Sequence, residues 1–356
     1  MKRRHHYVPK FYLRAFASSP KRINVFNLPG GKAIKDASLR DQCYHHRLYG
    51  PSDDLEDWFA DIEGRTAPVI ESIRTSYRCP DVASREYVAL LSLVALQLVR
   101  TKAARDRIRE RSTKAAHAVF EDKPIPAGFI PNADESMALS LGTLLQMGAA
   151  LDGMKTHVVK ACSGRAFITS DNPAYKYNQY CEGIRWTGVL GATCRGFQVF
   201  LPVSPDALVL LFDGGVYKVG ERGVAPSSIA TENDVDLLNL FQAISAQDNL
   251  YFSNWNDRQR LESTAMLAAE ERSKNRHRVI KAYEVGNDRS ELLAQFEQLP
   301  DVRAQFSFVT LRREARRIPL AGRVRLYRKR MPPLSEPSVP PLDDGKPHVF
   351  VTRQPV

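Results

Sequence analysis

The residues best suited to chemistry stand at the front of the chain, in MKRRHHYVPKFYLRAF. His5 and His6 ionise near neutral pH and lie beside Tyr7, Phe11, Tyr12 and Phe16, an apolar anchor unusual so close to a terminus. A histidine held next to a cation suits a general base or a metal ligand. His6 is the base candidate, His5 a metal-ligand candidate, and Tyr12 and Arg14 are candidate substrate contacts. Adjacent side chains in an extended segment point to opposite sides, so only one of the two histidines faces any given site. The structural alternative is that one histidine caps backbone groups and the other is exposed.

A second group is Ser170-Asp171-Asn172-Pro173, at the end of FITSDNP. A strand brings these side chains to a sheet edge, and Pro173 stops the pairing. Asp171 could bind a metal or orient a histidine, with Ser170 and Asn172 touching substrate. The same residues also spell an Asx turn. A third group is Gln97 and Arg100, three apart on an apolar helix. A glutamine there needs hydrogen-bond partners, and an arginine needs an anion: Asp171, Glu63 or a substrate phosphate. A buried structural ion pair accounts for Arg100 equally well. Cys43 and His45 have no second cysteine-rich half, so they make a weak zinc signal.

The elements that must position these groups follow from periodicity. Pro9 suits the first turn of a helix running to Ala17. RINVFNL and KAIKDASL form a hairpin about Pro29-Gly30-Gly31. A helix starting near Asp53 carries Leu55, Trp58, Phe59 and Ile62 on one face, with Gly64 and Pro68 interrupting or kinking it. A longer helix begins near Ser84. It is apolar all round up to Val99, then basic and amphipathic to Phe120. THVVKAC and RAFITSD read as a hairpin, and FQVFLPV, ALVLLFD and VYKVG as further strands. Thr231 and Asp234 mark a capping box opening the helix ENDVDLLNLFQAISAQ. NLYFSN is a strand, and a charged helix runs from Asp257 to about Glu284.

Composition bounds the partners. The net charge of +11 is uneven: residues 301–356 hold 12 Lys and Arg against 5 Asp and Glu, a net +7, which leaves +4 for the first 300. Such an end attracts nucleic acid or acts as a solubilising tail. The longest apolar run, Tyr87 to Val99, is 13 residues and too short for a bilayer. No apolar run follows the basic start, and the five cysteines lack paired spacing, so the sequence reads as that of a reduced, cytoplasmic protein away from membranes.

HHYVPKFYLRAF, the helix pair around Glu63 and QLVRT, then FITSDNP, FLPVSP and NLFQAISAQDNLYFSN together resemble the bacterial domain-of-unknown-function 4238 family. The resemblance spans roughly residues 4 to 285. It falls on His6, Pro9, Tyr12, Leu13, Phe16, Glu63, Gln97, Arg100, Ser170, Asp171, Asn172, Pro173 and Asn239. It implies shared architecture.

The expectation is therefore an α+β protein. One domain spans residues 1–290: helical to 155 with a small β-hairpin, mainly antiparallel sheet over 156–255, helical over 256–290. Residues 291–356 form a basic, proline-rich, partly disordered tail. His6, Asp171 and Arg100 are expected to meet in one polar pocket as base, orienter and charge clamp, with Gln97 nearby and His5 and Glu63 on a divalent metal ion. That set suits phosphodiester hydrolysis by a nuclease or phosphodiesterase. The competing expectation is a non-catalytic protein that binds nucleic acid or an acidic partner through the tail and the helix face from Lys102 to Lys114.

Overall fold

The computed structural model describes residues 4–46, 48–49, 54–82, 84–121, 123–220, 227–274, 276–284, 287–324, 328 and 350–352. The start MKR, the proline-rich stretch 331–347, and Arg325, Lys329 and Arg330 of the basic cluster lie outside these residues.

The architecture is α+β, and one strand pair organises it. Gln198–Ser204 and Ala207–Phe212 pair antiparallel and are buried at every position. Strand side chains alternate between faces, so each strand feeds two cores. Val199, Leu201, Val203, Val209 and Leu211 face the helical N-terminal half, while Phe200, Leu208 and Leu210 face the C-terminal half. The full five-stranded sheet runs Ser227–Ile229, Lys155–Lys160, Ala207–Phe212, Gln198–Ser204, Tyr175–Tyr177. Being covered on both sides explains why its middle strands read as unbroken apolar runs.

A second sheet joins distant parts of the chain. The expected hairpin forms from Arg22–Asn27 and Lys32–Ser38. Asn249–Phe252 adds to Arg22–Asn27 and, on its other side, takes up Thr169–Ser170. This departs from the expected pairing of THVVKAC with RAFITSD. Lys155–Lys160 pairs instead with Ala207–Phe212, where six residues find partners, and the short Thr169–Ser170 is left to Leu250 and Tyr251. The N-terminal segment and the Ser170-Pro173 turn thus reach the same sheet.

The helix expected from Ser84 to Phe120 is two helices, Arg85–Val99 and Lys102–Phe120, bent by 51°. Local chemistry explains the break: Thr101 turns extended, and its hydroxyl accepts the Ala104 N–H as an N-cap. Arg85–Val99 is the buried centre of the helical half, with Leu90, Leu93, Val94 and Leu96 sealed. Helix Asp54–Ser76 runs without interruption through Gly64 and Pro68. Among the described residues no single helix is long and apolar enough to cross a membrane.

The C-terminal part differs most from the sequence reading. The charged helix stops at Ser273, and His277–Glu284 is a strand paired with Asn287–Glu297. Part of the expected tail belongs to the core: Leu299, Ala304, Phe306, Phe308 and Ala315 are buried in the C-terminal cluster, where Phe306 packs on Phe200 and Phe241. Apolar residues spaced irregularly in a loop leave no periodic signal, so sequence reading passes over them.

Candidate functional site

The front end does fold back against the Ser170-Pro173 turn. The Tyr12 hydroxyl lies 2.8 Å from Thr169 Oγ1 and also donates to the Pro202 carbonyl. The Tyr7 N–H donates to the carbonyl of Cys43, which holds a left-handed backbone at φ 51°, and Cys43 Sγ lies 3.2 Å from the Tyr251 hydroxyl. Burial, and then the nearby Cys43 and Asp171, raise the Tyr7 phenol far above its ordinary range, so it stays protonated.

Arg100 closes this region from the helical side. Wholly buried at the C-cap of Arg85–Val99, it donates from Nε to the Tyr7 carbonyl at 3.0 Å and from Nη2 to Glu63 Oε1 at 2.6 Å. The anion it needs is therefore Glu63, not Asp171. Gln97 is also fully buried, and neither end of its amide has a hydrogen-bond partner among the described residues. Thr101 Oγ1 donates to Asn172 Oδ1 at 2.9 Å, tying the helix break to the turn.

Asp171 is buried, and both carboxylate oxygens are engaged by backbone. Oδ1 accepts from Gln247 N at 2.8 Å, and Oδ2 accepts from Asp248 N at 2.7 Å and Asn249 N at 3.1 Å. Burial pushes its carboxyl up to about 6 against the pull of those N–H groups, so it is still ionised at neutral pH. Ser170 Oγ accepts from Asn172 N and from the Gln242 side chain. Asn172 Nδ2 donates to the Ser245 carbonyl and hydroxyl at 2.9 and 2.8 Å. The motif is a clasp around the loop between helix Glu232–Ser245 and strand Asn249–Phe252.

The remaining residues from the sequence reading spread outwards. His6 Nε2 lies 3.1 Å from the Arg40 carbonyl, its strand paired with Tyr44–His46. His5 is buried and stacked on Tyr49, whose N–H approaches Nδ1 at 3.4 Å. Arg14 is exposed. Arg100, Glu63 and the Tyr7 backbone come together; His6 and Arg14 look elsewhere. Among the described residues no three His, Cys, Asp or Glu side chains gather as a metal site requires. The cations of the Lys102–Lys114 face are partly engaged within the chain: Lys102 with Asp248, Arg105 with Asp106, Lys114 with Glu110.

A cavity of about 330 Å³ opens on the far side of the clasp, with Asn172 in its wall. Helix Lys102–Phe120 supplies Arg107 and Glu110, strand Tyr175–Tyr177 supplies Lys176, and the segment after Ser273 supplies Arg276 and His277. His277 Nδ1 lies 2.7 Å from Glu110 Oε2, while Nε2 is buried with no partner among the described residues. Burial lowers the imidazole pKa although Glu297 and Glu110 pull it up, so the ring is neutral at pH 7. Lys176 meets Glu297 at 2.8 Å. Burial alone would raise the Glu297 carboxyl, but Lys176, Arg107, His277 and Arg276 around it hold it well below its ordinary value. Among the described residues neither Arg107 nor Arg276 has a carboxylate within salt-bridge distance.

The sequence pointed to the Lys102–Lys114 face, which supplies Arg107 and Glu110, but not to the cavity or to Lys176, Arg276 and His277. The signal was there in part: Arg107, Glu110, Arg111 and Lys114 recur three and four apart on one helix face. Extending the charged helix to Glu284 concealed that His277, just after Arg276, begins a strand packed on that helix.

Residues 4–256 match a family described as "Protein of unknown function (DUF4238)". The chain belongs to that family. Its matched segment holds the clasp, Arg100 with Glu63, and the Arg107–Glu110 side of the cavity; Arg276 and His277 come after it. No curated protein and no solved structure matches the chain.

Proposed function

We propose that this protein binds and cleaves a phosphodiester in the cavity beside Asn172. The observation that carries the reading is the pair of guanidinium groups, Arg107 and Arg276, free of salt bridges among the described residues and set in the wall of a cavity of about 330 Å³. That volume is at the small end of ligand sites and suits a nucleotide unit. Guanidinium pairs favour phosphate because their forked donors match its oxygens. In this reading Asp171 and Arg100 act from behind the wall: Asp171 holds the loop after Ser245 that Asn172 also grips, and Arg100 holds the Tyr7 segment, while His6 lies away from the cavity. A divalent metal ion, with His5 and Glu63 among its ligands, belongs to the sequence expectation, and no step here depends on it.

A second reading, nucleic-acid binding without turnover, is supported by Arg312, Arg313, Arg316 and Arg317, all exposed around the short helix Arg313–Arg316. They would draw in a polyanion whether or not it is cut.

The test is to incubate the full chain with DNA, RNA and cyclic nucleotides, with and without divalent ions, and to follow binding and products. Turnover lost in Arg107→Ala and Arg276→Ala supports hydrolysis in the cavity. Salt-sensitive binding without product supports the second reading. Neither binding nor turnover removes both.

A further inference from the structure

We infer that the phosphodiester is a ribose one and that His277 is the base that starts its cleavage. The inference rests on the cavity assigned above and names its substrate class and its proton acceptor.

Glu110 Oε2 accepts a hydrogen bond from His277 Nδ1–H, which leaves the lone pair on Nε2. Lys114 holds Glu110 in turn and donates to the His277 carbonyl at 3.0 Å, so the residue is held at its backbone and at ring Nδ1. A protein core ordinarily avoids a buried, unpaired ring nitrogen by giving it a partner. Here the residue forms part of the wall of a cavity that Arg107, Lys176 and Arg276 also line. The groups gathered are thus one oriented base, several cations, and the carboxylates Glu110 and Glu297, which hold His277 and Lys176 in place.

One base with cations suits a nucleophile that the substrate itself carries next to its phosphate. The 2′-hydroxyl of ribose is such a group. His277 Nε2 takes its proton, the 2′-oxygen bonds to phosphorus, and the bond from phosphorus to the 5′-oxygen breaks. The departing oxygen takes a proton from the Lys176 ammonium. The products are a 2′,3′-cyclic phosphate and a 5′-hydroxyl, and solvent then restores His277 and Lys176. Arg107 and Arg276 face the charge that builds on the phosphoryl oxygens. DNA lacks the nucleophile and is bound but left intact.

The experiment compares a short single-stranded RNA, its DNA counterpart, and the RNA carrying one 2′-deoxy residue at the cut position, all in EDTA. Wild-type protein should cut the RNA to cyclic-phosphate ends, bind the DNA without cutting it, and leave the deoxy position whole. His277→Gln should slow cleavage by about a hundredfold or more while changing RNA affinity by less than about threefold. A thermal melt checks its folding, and Glu110→Gln, which keeps the ring, should slow cleavage with an altered pH profile. Equal cutting of DNA, or undiminished cutting by His277→Gln, overturns this inference and leaves phosphodiester cleavage standing. Binding without cleavage in EDTA overturns this inference alone, and binding without cleavage in divalent ions as well overturns phosphodiester cleavage too.

Discussion

The Thr101 hydroxyl donates to the Asn172 side chain at 2.9 Å while its oxygen accepts the Ala104 N–H at 3.2 Å. One side chain thus starts a helix and fixes the turn that walls the cavity. Thr101→Ala should cost about 1–2 kcal/mol, the usual loss for an N-cap. Thr101→Ser keeps both bonds and should melt close to wild type. A larger loss for Ser than for Ala would contradict this role.

Asp171 accepts three backbone N–H groups. Hydrogen bonds to a charged acceptor contribute about 1.5–3 kcal/mol, so Asp171→Asn, which turns an amide donor towards those N–H groups, should lower stability by at least about 2 kcal/mol. Urea unfolding measures it. An unchanged midpoint with lost turnover would instead assign Asp171 to the chemistry.

Arg276 is expected to touch phosphate directly. Arg276→Ala should weaken oligonucleotide binding at all sequences alike and reduce the slope of log affinity against log salt by about one. Fluorescence titrations at several salt concentrations read both quantities, and a slope equal to wild type would place the phosphate elsewhere.

The pH dependence follows from the groups facing His277: Glu110, Arg107 and Lys114 on the helix, Glu297 and Lys176 on the strands, and Arg276 beside it. Burial leads and lowers its pKa below the ordinary 6.5. A base must be neutral to act, so activity should hold at pH 6.5 and fall only in more acid solution. Removing a carboxylate that favours imidazolium, as in Glu110→Gln, should move that acid limb lower still. A limb shifted upward would show that the titrating group is not His277.

Sequence reading found what local chemistry dictates. The apolar helix after Ser84, the hairpin at Pro29-Gly30-Gly31 and the capping box at Thr231 and Asp234 each declare themselves within a few residues. It expected His6, Arg100 and Asp171 in one polar pocket; the front segment and the turn do adjoin through Tyr12 and Thr169, but Arg100 pairs with Glu63 and His6 with the Arg40 carbonyl.

Which partner each group takes was decided only in three dimensions. Arg100 had three candidate anions, and the fold chose Glu63 from a neighbouring helix. Asp171 could have met a histidine or a metal; the loop after Ser245 offered its N–H groups first. His277 and Glu110 stand 167 residues apart, and nothing local to either foretells the other. Periodicity reports which face of an element is buried, whereas long-range pairing depends on how whole sheets and helices pack, and that is written in no single stretch of chain.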